Sequence, residues 1–337
     1  MSIEILRTLP EMTWRRFVDE QPTGNVFHTP EMYSVFAEAG GHKPTMWAAV
    51  DDCKGLLSLM FPVQVTLWGG LLNRLTTRSI AYGSVLCVPG PEGKKALGLL
   101  LQVYKKEVEG RALFSEFRHL SDLSELQPVL TEHGFGYEDH LNYLIDLDRF
   151  AEEILQSIGR RTRKKIRKGL RDGLVQVIEV TERSELDEWY ATLQKTYAHA
   201  QVLLADRSLF GAAFDILHPK GMAKFLIARV NGEPAACSVE LVYKDTIYGW
   251  YGGSDRDYSK YHPNEMLMWH VLEWGANNGF RVYDFGGAGR PDEEYGVRDF
   301  KAKFGGELVC YGRSICAHAP RFLWLSKHGY HLARRWL

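Results

Sequence analysis

The stretch YGWYGGSDRDYSKYHPNEMLMWHVLEWGANNGFRVYDFGGAGRPDEEYGVRDFKAKFGGELVCYG, residues Tyr248–Gly312, decides the fold of this 337-residue chain. Its first residues are aromatic and run into a Gly-Gly pair, which predicts a strand that ends there. Pro263 lies near the start of a helix, and the Asn-Asn-Gly run at 277–279 stops it. Arg281–Phe285 is a second short strand, followed by a glycine loop, a short helix and a last strand. This order predicts a unit of mixed sheet and helix.

The composition is that of a globular protein without a large net charge. Hydrophobic residues make up 45% of the chain, charged residues make up 25%, and the formal net charge is -1. Such a chain is not disordered. Its bulk charge does not favour polyanions, so any nucleic-acid contact needs a local basic patch.

The five cysteines are scattered and form no CxxC pair, a pattern typical of reduced thiols in a cytosolic protein. No HExxH run and no His-Cys cluster is visible in the sequence, so no metal site is predicted. The N-terminus shows no basic region before an apolar core, and no apolar run is long enough to span a membrane. We therefore expect a cytoplasmic protein without a transmembrane helix.

Strands and helices alternate along the rest of the chain, which predicts an α/β protein of mixed α+β units. A domain boundary is predicted at Asp146–Asp148 and divides the chain into units 1–145 and 146–316. Just after this boundary, Arg160–Arg171 carries eight cations and no acid. A helix of that composition should face water on all sides and repel itself. This favours phosphate binding over a merely solvated basic face.

Several pieces of the opening stretch, in their order and spacing, resemble the second half of the FemABX family. These transferases build peptidoglycan cross-bridges from aminoacyl-tRNA. The matching pieces are Trp250–Ser254, the helix with Trp269 and Trp274, the Tyr-Asp-Phe-Gly-Gly run at 283–287, Phe300-Lys301, and the Phe-Gly-Gly run at 304–306.

The resemblance implies a fold of two tandem GNAT-like units with a cleft between them. A C-terminal helix within 317–337 is expected to pack back on the first unit. Some members carry a long helical-hairpin arm. Nothing in this sequence is long and heptad-like enough to form one, so an armless member is expected.

The resemblance also implies an activity. An aminoacyl group passes from aminoacyl-tRNA to an amine, and the expected acceptor is the stem peptide of a peptidoglycan precursor, UDP-MurNAc-pentapeptide or a lipid-linked form. No cofactor is expected, because the charged tRNA is itself the donor. A lipid-linked acceptor would bring the protein to the inner face of the cytoplasmic membrane.

The catalytic residues implied by the resemblance are Lys301, with Phe300 before it, and Asp284. Lys301 is expected to hold the phosphate-bearing donor and to stabilise the developing oxyanion. Its replacement by alanine is expected to abolish transfer with little effect on folding. Asp284 is expected to orient the donor or to accept a proton. Simpler roles compete with both: a solvated lysine for Lys301 and a strand-end turn for Asp284.

Other residues are expected to bind substrate. Tyr251 matches a tyrosine of the family's cleft, while Gly286 and Gly287 would let the backbone approach a ligand; core packing and a tight turn explain these three equally well. Many relatives also carry a threonine with an arginine close by, whereas here the next arginine after Thr196 is Arg207. The remaining expected contacts are Thr196, His199 and, on the basic helix, Arg161, Lys164 and Lys165.

Other functions stay open at this point. An acyl-CoA- or acyl-carrier-dependent N-acyltransferase could use the same scaffold, although the pyrophosphate signature R/Q-x-x-G-x-G/A is not apparent. A tRNA-dependent transferase of natural-product biosynthesis is another alternative. The third class is a non-enzymatic protein that binds RNA or a membrane surface through 160–171 and the C-terminal helix.

Overall fold

A computed structural model of the chain describes residues 3–67 and 76–324. The chain divides into two compact units, one formed by Met1–Asp139 with Tyr311–Leu337 and the other by His140–Cys310. Each unit contains both sheet and helix, so the predicted mixed α/β class is confirmed.

The strands are distributed over three sheets. They are β1 Ile3–Leu6, β2 His42–Pro44, β3 Trp47–Asp51, β4 Gly55–Met60, β5 Val63–Thr66, β6 Thr77–Ala81, β7 Leu86–Cys87, β8 Phe114–Arg118, β9 Gly136–Glu138, β10 Leu141–Asp146, β11 Val175–Glu179, β12 Ala223–Val230, β13 Glu233–Tyr243, β14 Thr246–Ser254, β15 Val282–Gly287, β16 Glu307–Cys310 and β17 Arg313–Ala317.

The helices begin and end where capping residues allow. Thr29 accepts a hydrogen bond from the Met32 amide and precedes a proline at the first helical position. The helices are α1 Glu11–Glu20, α2 Pro30–Glu38, α3 Pro91–Val108, α4 Gln127–Glu132, α5 Ala151–Ser157, α6 Arg160–Asp172, α7 Leu186–Ala200, α8 Arg207–Leu217, α9 Pro263–Asn277 and α10 Gly296–Ala302.

The predicted boundaries differ from the observed ones at both ends of the second unit. β10 was placed in the first unit by the sequence, but it pairs with β15 and β16 of the second unit. Conversely, β17 pairs with β8 and β9 of the first unit. Strand pairing is made with partners far away in sequence, so composition near residue 146 could not reveal it.

The lengths of the helices bear on the predicted absence of a helical-hairpin arm and on the predicted C-terminal helix. Within the described ranges the longest helix is α3 with 18 residues, in keeping with the expected lack of a long helical-hairpin arm. Residues 320–324 are helical, whereas the rest of the predicted C-terminal helix, and its packing, lies outside the described residues. No helix in the described ranges is both long and apolar enough to cross a membrane.

The first unit holds two sheets. Their strand orders are β1-β3-β4-β7 and β2-β5-β6-β8-β17-β9, with β6 and β8 parallel. Helix α3 packs its apolar side, including Leu97 and Leu100, into the core of this unit. The buried Tyr104 hydroxyl ties that helix to the sheet through hydrogen bonds of 2.8 Å to Ser79 and 2.6 Å to Ser115.

The second unit is built on one seven-stranded sheet in the order β11-β12-β13-β14-β15-β10-β16. β14 and β15 are parallel, and their paired residues end at Tyr248 and Asp284. Both strands continue, β14 to Ser254 and β15 to Gly287, so their facing edges no longer pair beyond this point. Because unpaired backbone groups need other partners, this divergence is where a functional site can form.

Candidate functional site

Lys301 lies under the glycine loop that ends β15. It sits in the last turn of α10 and is only 8% exposed. Its Nζ atom donates hydrogen bonds to the carbonyl oxygens of Phe285 at 2.6 Å, Gly286 at 3.1 Å and Gly287 at 2.8 Å. An ammonium group has three N–H donors, so these bonds use all of them. The structure therefore shows a lysine that holds the loop, where the sequence suggested one directed at a ligand.

The charge of Lys301 is matched by that of Asp284. Burial lowers the pKa of Lys301 to about 8, and the nearby Asp284 opposes this shift. Burial likewise raises the pKa of Asp284 to about 6. That carboxylate accepts hydrogen bonds from the Gly286 amide at 2.7 Å and the Asn142 side chain at 3.1 Å. The two groups thus titrate on either side of neutral pH, as the groups of catalytic sites often do.

Gly286 is required by the conformation of this loop. Its φ is +69°, and a Cβ atom there would lie 3.0 Å from the Tyr248 hydroxyl and 3.3 Å from the Gly249 carbonyl oxygen. The loop therefore packs closely on β14, which explains the glycine without a ligand. Gly287 contributes its carbonyl oxygen to the Lys301 ammonium.

Glu240 is a buried carboxylate that was not predicted as a site residue. This residue lies on β13, is 1% exposed, and accepts a hydrogen bond of 3.1 Å from the Tyr283 hydroxyl. Burial raises the pKa of Glu240 to about 7. A single carboxylate within the apolar run AACSVELV, Ala235–Val242, was the available signal, because a glutamate is rarely buried without a specific partner.

The predicted aromatic residues are placed differently from each other. Tyr251 is half-buried, with its ring 4.9 Å from Phe210 and 6.1 Å from Tyr197. Burial raises the pKa of Tyr197 to about 12. Phe300 is half-buried, packs edge-to-face on Phe304 at 5.2 Å and lies against the apolar core. Phe300 thus helps to fix α10 by packing, and both Phe300 and Tyr251 stay partly accessible.

Thr196 and His199 both lie on α7. The Thr196 hydroxyl donates to the Ser254 carbonyl at 3.0 Å and accepts from the Ser254 amide at 2.7 Å. These bonds fix the end of β14 on α7, so Thr196 has a structural role here. His199 is exposed in the last turn of α7.

The basic helix α6 is not surrounded by water, as the sequence had suggested. Thr162 and Ile166 are buried, and Gly169 lies against Met266 of α9. Lys165 was predicted to contact substrate, but its Nζ forms an ion pair with Glu265 at 2.9 Å. Composition gives no sign of these contacts, because they are made with α9, about a hundred residues further along the chain.

Other cations of α6 are also engaged. Arg167 pairs with Glu152 at 2.7 Å, and Arg163 donates to the Gln156 carbonyl. Four cations remain exposed and have no acidic partner in the described part of the chain; we call them the open cations, and they are Arg160, Arg161, Lys164 and Lys168. They form a compact group for phosphate contacts.

These contacts define what the site can do. At the divergence of β14 and β15, Asp284 has a proton affinity suited to acid–base chemistry near neutral pH, and the Lys301 ammonium fixes the adjacent backbone. Among residues 3–67 and 76–324, no three His, Cys, Asp or Glu side chains are grouped so that they could hold a metal ion.

Comparisons with known proteins place this region in a family context. A family described as Acetyltransferase (GNAT) domain matches residues 157–301. The curated lipid II:glycine glycyltransferase of Staphylococcus haemolyticus is 22% identical, over 50% of this chain and 56% of that protein. The chain thus spans about half the length of the curated relatives it matches.

Solved structures match the fold along nearly the whole chain. The crystal structure of FemX superposes with a TM-score of 0.72 at 16% identity, covering 96% of this chain and 99% of that one. A tandem GNAT protein from the clavulanic acid biosynthesis pathway gives a TM-score of 0.60 at 10% identity, covering 94% and 99%. The two units described above are therefore similar in fold to tandem GNAT proteins.

Proposed function

We propose that this chain is a FemABX-like acyltransferase that makes amide bonds, which its similarity to lipid II:glycine glycyltransferases and its fold similarity to FemX support. The donor is aminoacyl-tRNA, and the acceptor is an amine on the stem peptide of a peptidoglycan precursor. The protein acts without a metal or an organic cofactor, in the cytoplasm and at the inner face of the membrane when the acceptor is lipid-linked.

The observation that carries this proposal is the buried pair of Lys301 and Asp284 where β14 and β15 diverge. In aminolysis the acceptor nitrogen attacks the ester carbonyl, a C–N bond forms, and the C–O bond to the ribose breaks. The nitrogen loses a proton and the ribose oxygen gains one. Asp284, whose pKa is about 6, is suited to take up that proton near neutral pH.

Lys301 acts in this proposal as a positioning residue. Its ammonium fixes three successive carbonyl groups, and with them the backbone edge that faces β14. Backbone N–H groups that are held in fixed positions can stabilise a developing oxyanion without a cost of reorganisation. The positive charge, held close by, also favours the negative charge of the tetrahedral intermediate.

The open cations of α6 support a tRNA donor, because phosphate contacts from lysine and arginine supply most of the affinity for a nucleic-acid backbone. The acceptor is inferred from the relatives, which are named lipid II:glycine glycyltransferases.

One experiment tests donor and acceptor together. The purified full chain is supplied with a mixture of charged tRNAs or with acyl-CoA, each with UDP-MurNAc-pentapeptide or its lipid-linked form. Mass spectrometry of the precursor then identifies the transferred group. An aminoacyl mass added only with charged tRNA is expected. The absence of any product with every donor would remove the enzymatic proposal.

A second candidate is a thioester-dependent N-acyltransferase. It is favoured by the match of 157–301 to the Acetyltransferase (GNAT) domain family. In that case acyl-CoA alone would acylate the precursor, and charged tRNA would not.

A further inference from the structure

A second cation of α10 holds the loop that follows β15. Arg298 lies three residues before Lys301, so both side chains project from the same face of the helix. The Arg298 Nε donates to the Ala288 carbonyl oxygen at 2.8 Å. Its Nη1 donates to the Pro291 carbonyl oxygen at 3.4 Å, and its Nη2 donates to that of Arg290. Arg298 therefore holds the outer half of the loop, as Lys301 holds the inner half.

Seven successive carbonyl oxygens of this loop, at residues 285–291, accept hydrogen bonds. Lys301 and Arg298 bind six of them. The seventh, on Gly289, accepts from the Leu141 amide at 2.9 Å and lies 3.0 Å from His140 Nδ1. Carbonyl groups of a surface loop can bond to water instead. The side chains of α10 and the start of β10 thus fix the conformation of the whole loop.

Gly289 lies at the centre of the segment that Arg298 holds. Its φ is +78°, and a Cβ atom there would lie 3.0 Å from the Tyr295 ring and 3.3 Å from Arg298 Nη2. The ring of Tyr295 therefore packs directly on this glycine. Ala288 and Arg290, which flank the glycine, are both bonded to Arg298. Arg298 sets the position of the loop, and the loop sets the position of Tyr295.

Tyr295 belongs to a group of three tyrosines beside β14. Burial raises the pKa of Tyr197 on α7 to about 12, and the nearby Tyr295 adds to this shift. The ring of Tyr197 in turn lies 6.1 Å from that of Tyr251 on β14. Tyr295 is 40% exposed, and the other two are half-buried. We call these three residues the tyrosine surface, which is partly accessible and is built from three separate elements of the second unit.

We propose that Arg298 is a positioning residue for substrate binding, because it holds the loop and with it Tyr295 in the conformation that completes the tyrosine surface. This inference rests on the proposed function and adds a binding surface to its site. Tyr295 contacts the substrate, whereas Arg298 acts through the loop. A surface that is already ordered contributes affinity, since no loop has to be fixed when the substrate binds.

The substrate concerned is the charged tRNA. Tyrosine rings stack on the flat bases of single-stranded nucleotides, and such stacking tolerates any base. The tyrosine surface therefore suits the end of the donor, where the aminoacyl group is attached. The rings also supply a large contact area at a low cost in conformational entropy.

Arg298 and Lys301 should affect different kinetic constants. Lys301 bonds to the residue next to Asp284, and its charge acts on the pKa of that carboxyl group. Arg298 bonds only to residues further along the loop. Arg298→Gln should therefore raise the KM for charged tRNA about tenfold, as for the loss of one charged hydrogen bond. It should change kcat by less than about twofold and leave the pH dependence of kcat as in the wild type.

Steady-state kinetics with charged tRNA as the varied substrate test this expectation. Tyr295→Ala should raise the KM to a similar extent. The double variant of Arg298→Gln with Tyr295→Ala should be little worse than either single variant, because both changes remove the same contact. Arg298→Lys should restore the KM only in part, since an ammonium group lacks the planar fork. Arg281→Gln, an exposed arginine just before β15, should change neither constant.

Hydrogen exchange examines the loop without the reaction. The amides of residues 286–290 should exchange faster in Arg298→Gln than in the wild type, while those of α9 keep their protection. A wild-type KM in Arg298→Gln, or independent effects of the two changes in the double variant, would overturn the inference and leave the proposed function in place. A lower kcat at an unchanged KM would also overturn it.

Failure of the proposed function would give a different result. The wild type would then transfer from no donor, and filter binding of tRNA to wild type and Tyr295→Ala would decide this inference separately. A weaker affinity in Tyr295→Ala would support the tyrosine surface as a nucleotide contact. Equal affinities would overturn the inference as well.

Discussion

The Nζ atom of Lys301 lies 2.6 Å from the carbonyl oxygen of Phe285, sixteen residues earlier in the chain. This contact crosses from α10 to the end of β15 and is repeated at the next two carbonyl groups. A cation in this position is part of the architecture of the site. Its replacement must therefore affect both stability and activity.

Lys301→Met should lower the free energy of unfolding by about 2 kcal/mol or more, because three buried carbonyl groups lose their donor. It should also abolish transfer. Urea denaturation and the transfer assay measure the two effects separately. Lys303→Met is the matched control: it changes an exposed lysine two residues away and should alter neither quantity. A Lys301→Met protein that unfolds like the wild type would contradict the observed contacts.

Gly286→Ala should destabilise the same loop where it packs on β14. A left-handed alanine costs about 1–2 kcal/mol, and its Cβ would press on the Tyr248 hydroxyl. We expect a lower melting temperature and a reduced kcat. Gly296→Ala is the control, since a Cβ there meets no atom within 4 Å; it should be neutral. Equal behaviour of the two variants would show that the loop tolerates a side chain.

Glu240→Gln should change how stability depends on pH. The folded protein holds the Glu240 proton up to a pKa of about 7, whereas an unfolded chain releases it near pH 4.3. Between these values the folded state binds more protons, so stability falls as pH rises, by on the order of 3 kcal/mol for this group.

Glutamine removes that dependence while still accepting the hydrogen bond from Tyr283. The free energy of unfolding of Glu240→Gln minus that of wild type should therefore be larger at pH 8 than at pH 5. Denaturation of both proteins at the two pH values measures this difference. Glu233→Gln, at the exposed start of β13, should leave the difference between the two pH values as in the wild type. If stability depended on pH in the same way for Glu240→Gln and wild type, Glu240 would be ionised in the folded protein.

Replacing the open cations Arg160, Arg161, Lys164 and Lys168 with glutamine should weaken tRNA binding and flatten its salt dependence. Four phosphate contacts give a log–log slope of roughly -3 to -4, which should approach zero in the variant. Thermal stability should stay the same or rise slightly, because like charges on one helix repel.

A control for this prediction changes cations of the same helix that are already paired. Lys165→Gln with Arg167→Gln removes the ion pairs to Glu265 and Glu152 and should reduce the slope less than the open-cation variant does. Filter binding or fluorescence anisotropy over a range of salt concentrations gives both slopes. Identical slopes for wild type and the open-cation variant would assign the tRNA contact to another surface.

The sequence by itself determined the local elements of the second unit. The turn residues and apolar spacing of Tyr248–Gly312 predicted the order that the structure shows in β14, α9, β15 and α10. The cationic composition of α6 was also evident. These features depend on neighbouring residues, whose propensities and caps act over a few positions, and the family resemblance extended them to the tandem GNAT fold.

Only the tertiary structure decided what the functional side chains touch. Lys301 turned inward because α10 lies under the loop after β15, and Lys165 found Glu265 because α6 packs on α9. Arg313 donates to Glu116, 197 residues earlier in the chain, because β17 pairs with β8. Burial and charge partners are set by packing between distant segments, and burial in turn shifts the pKa values of Asp284 and Glu240; none of this is encoded in local spacing.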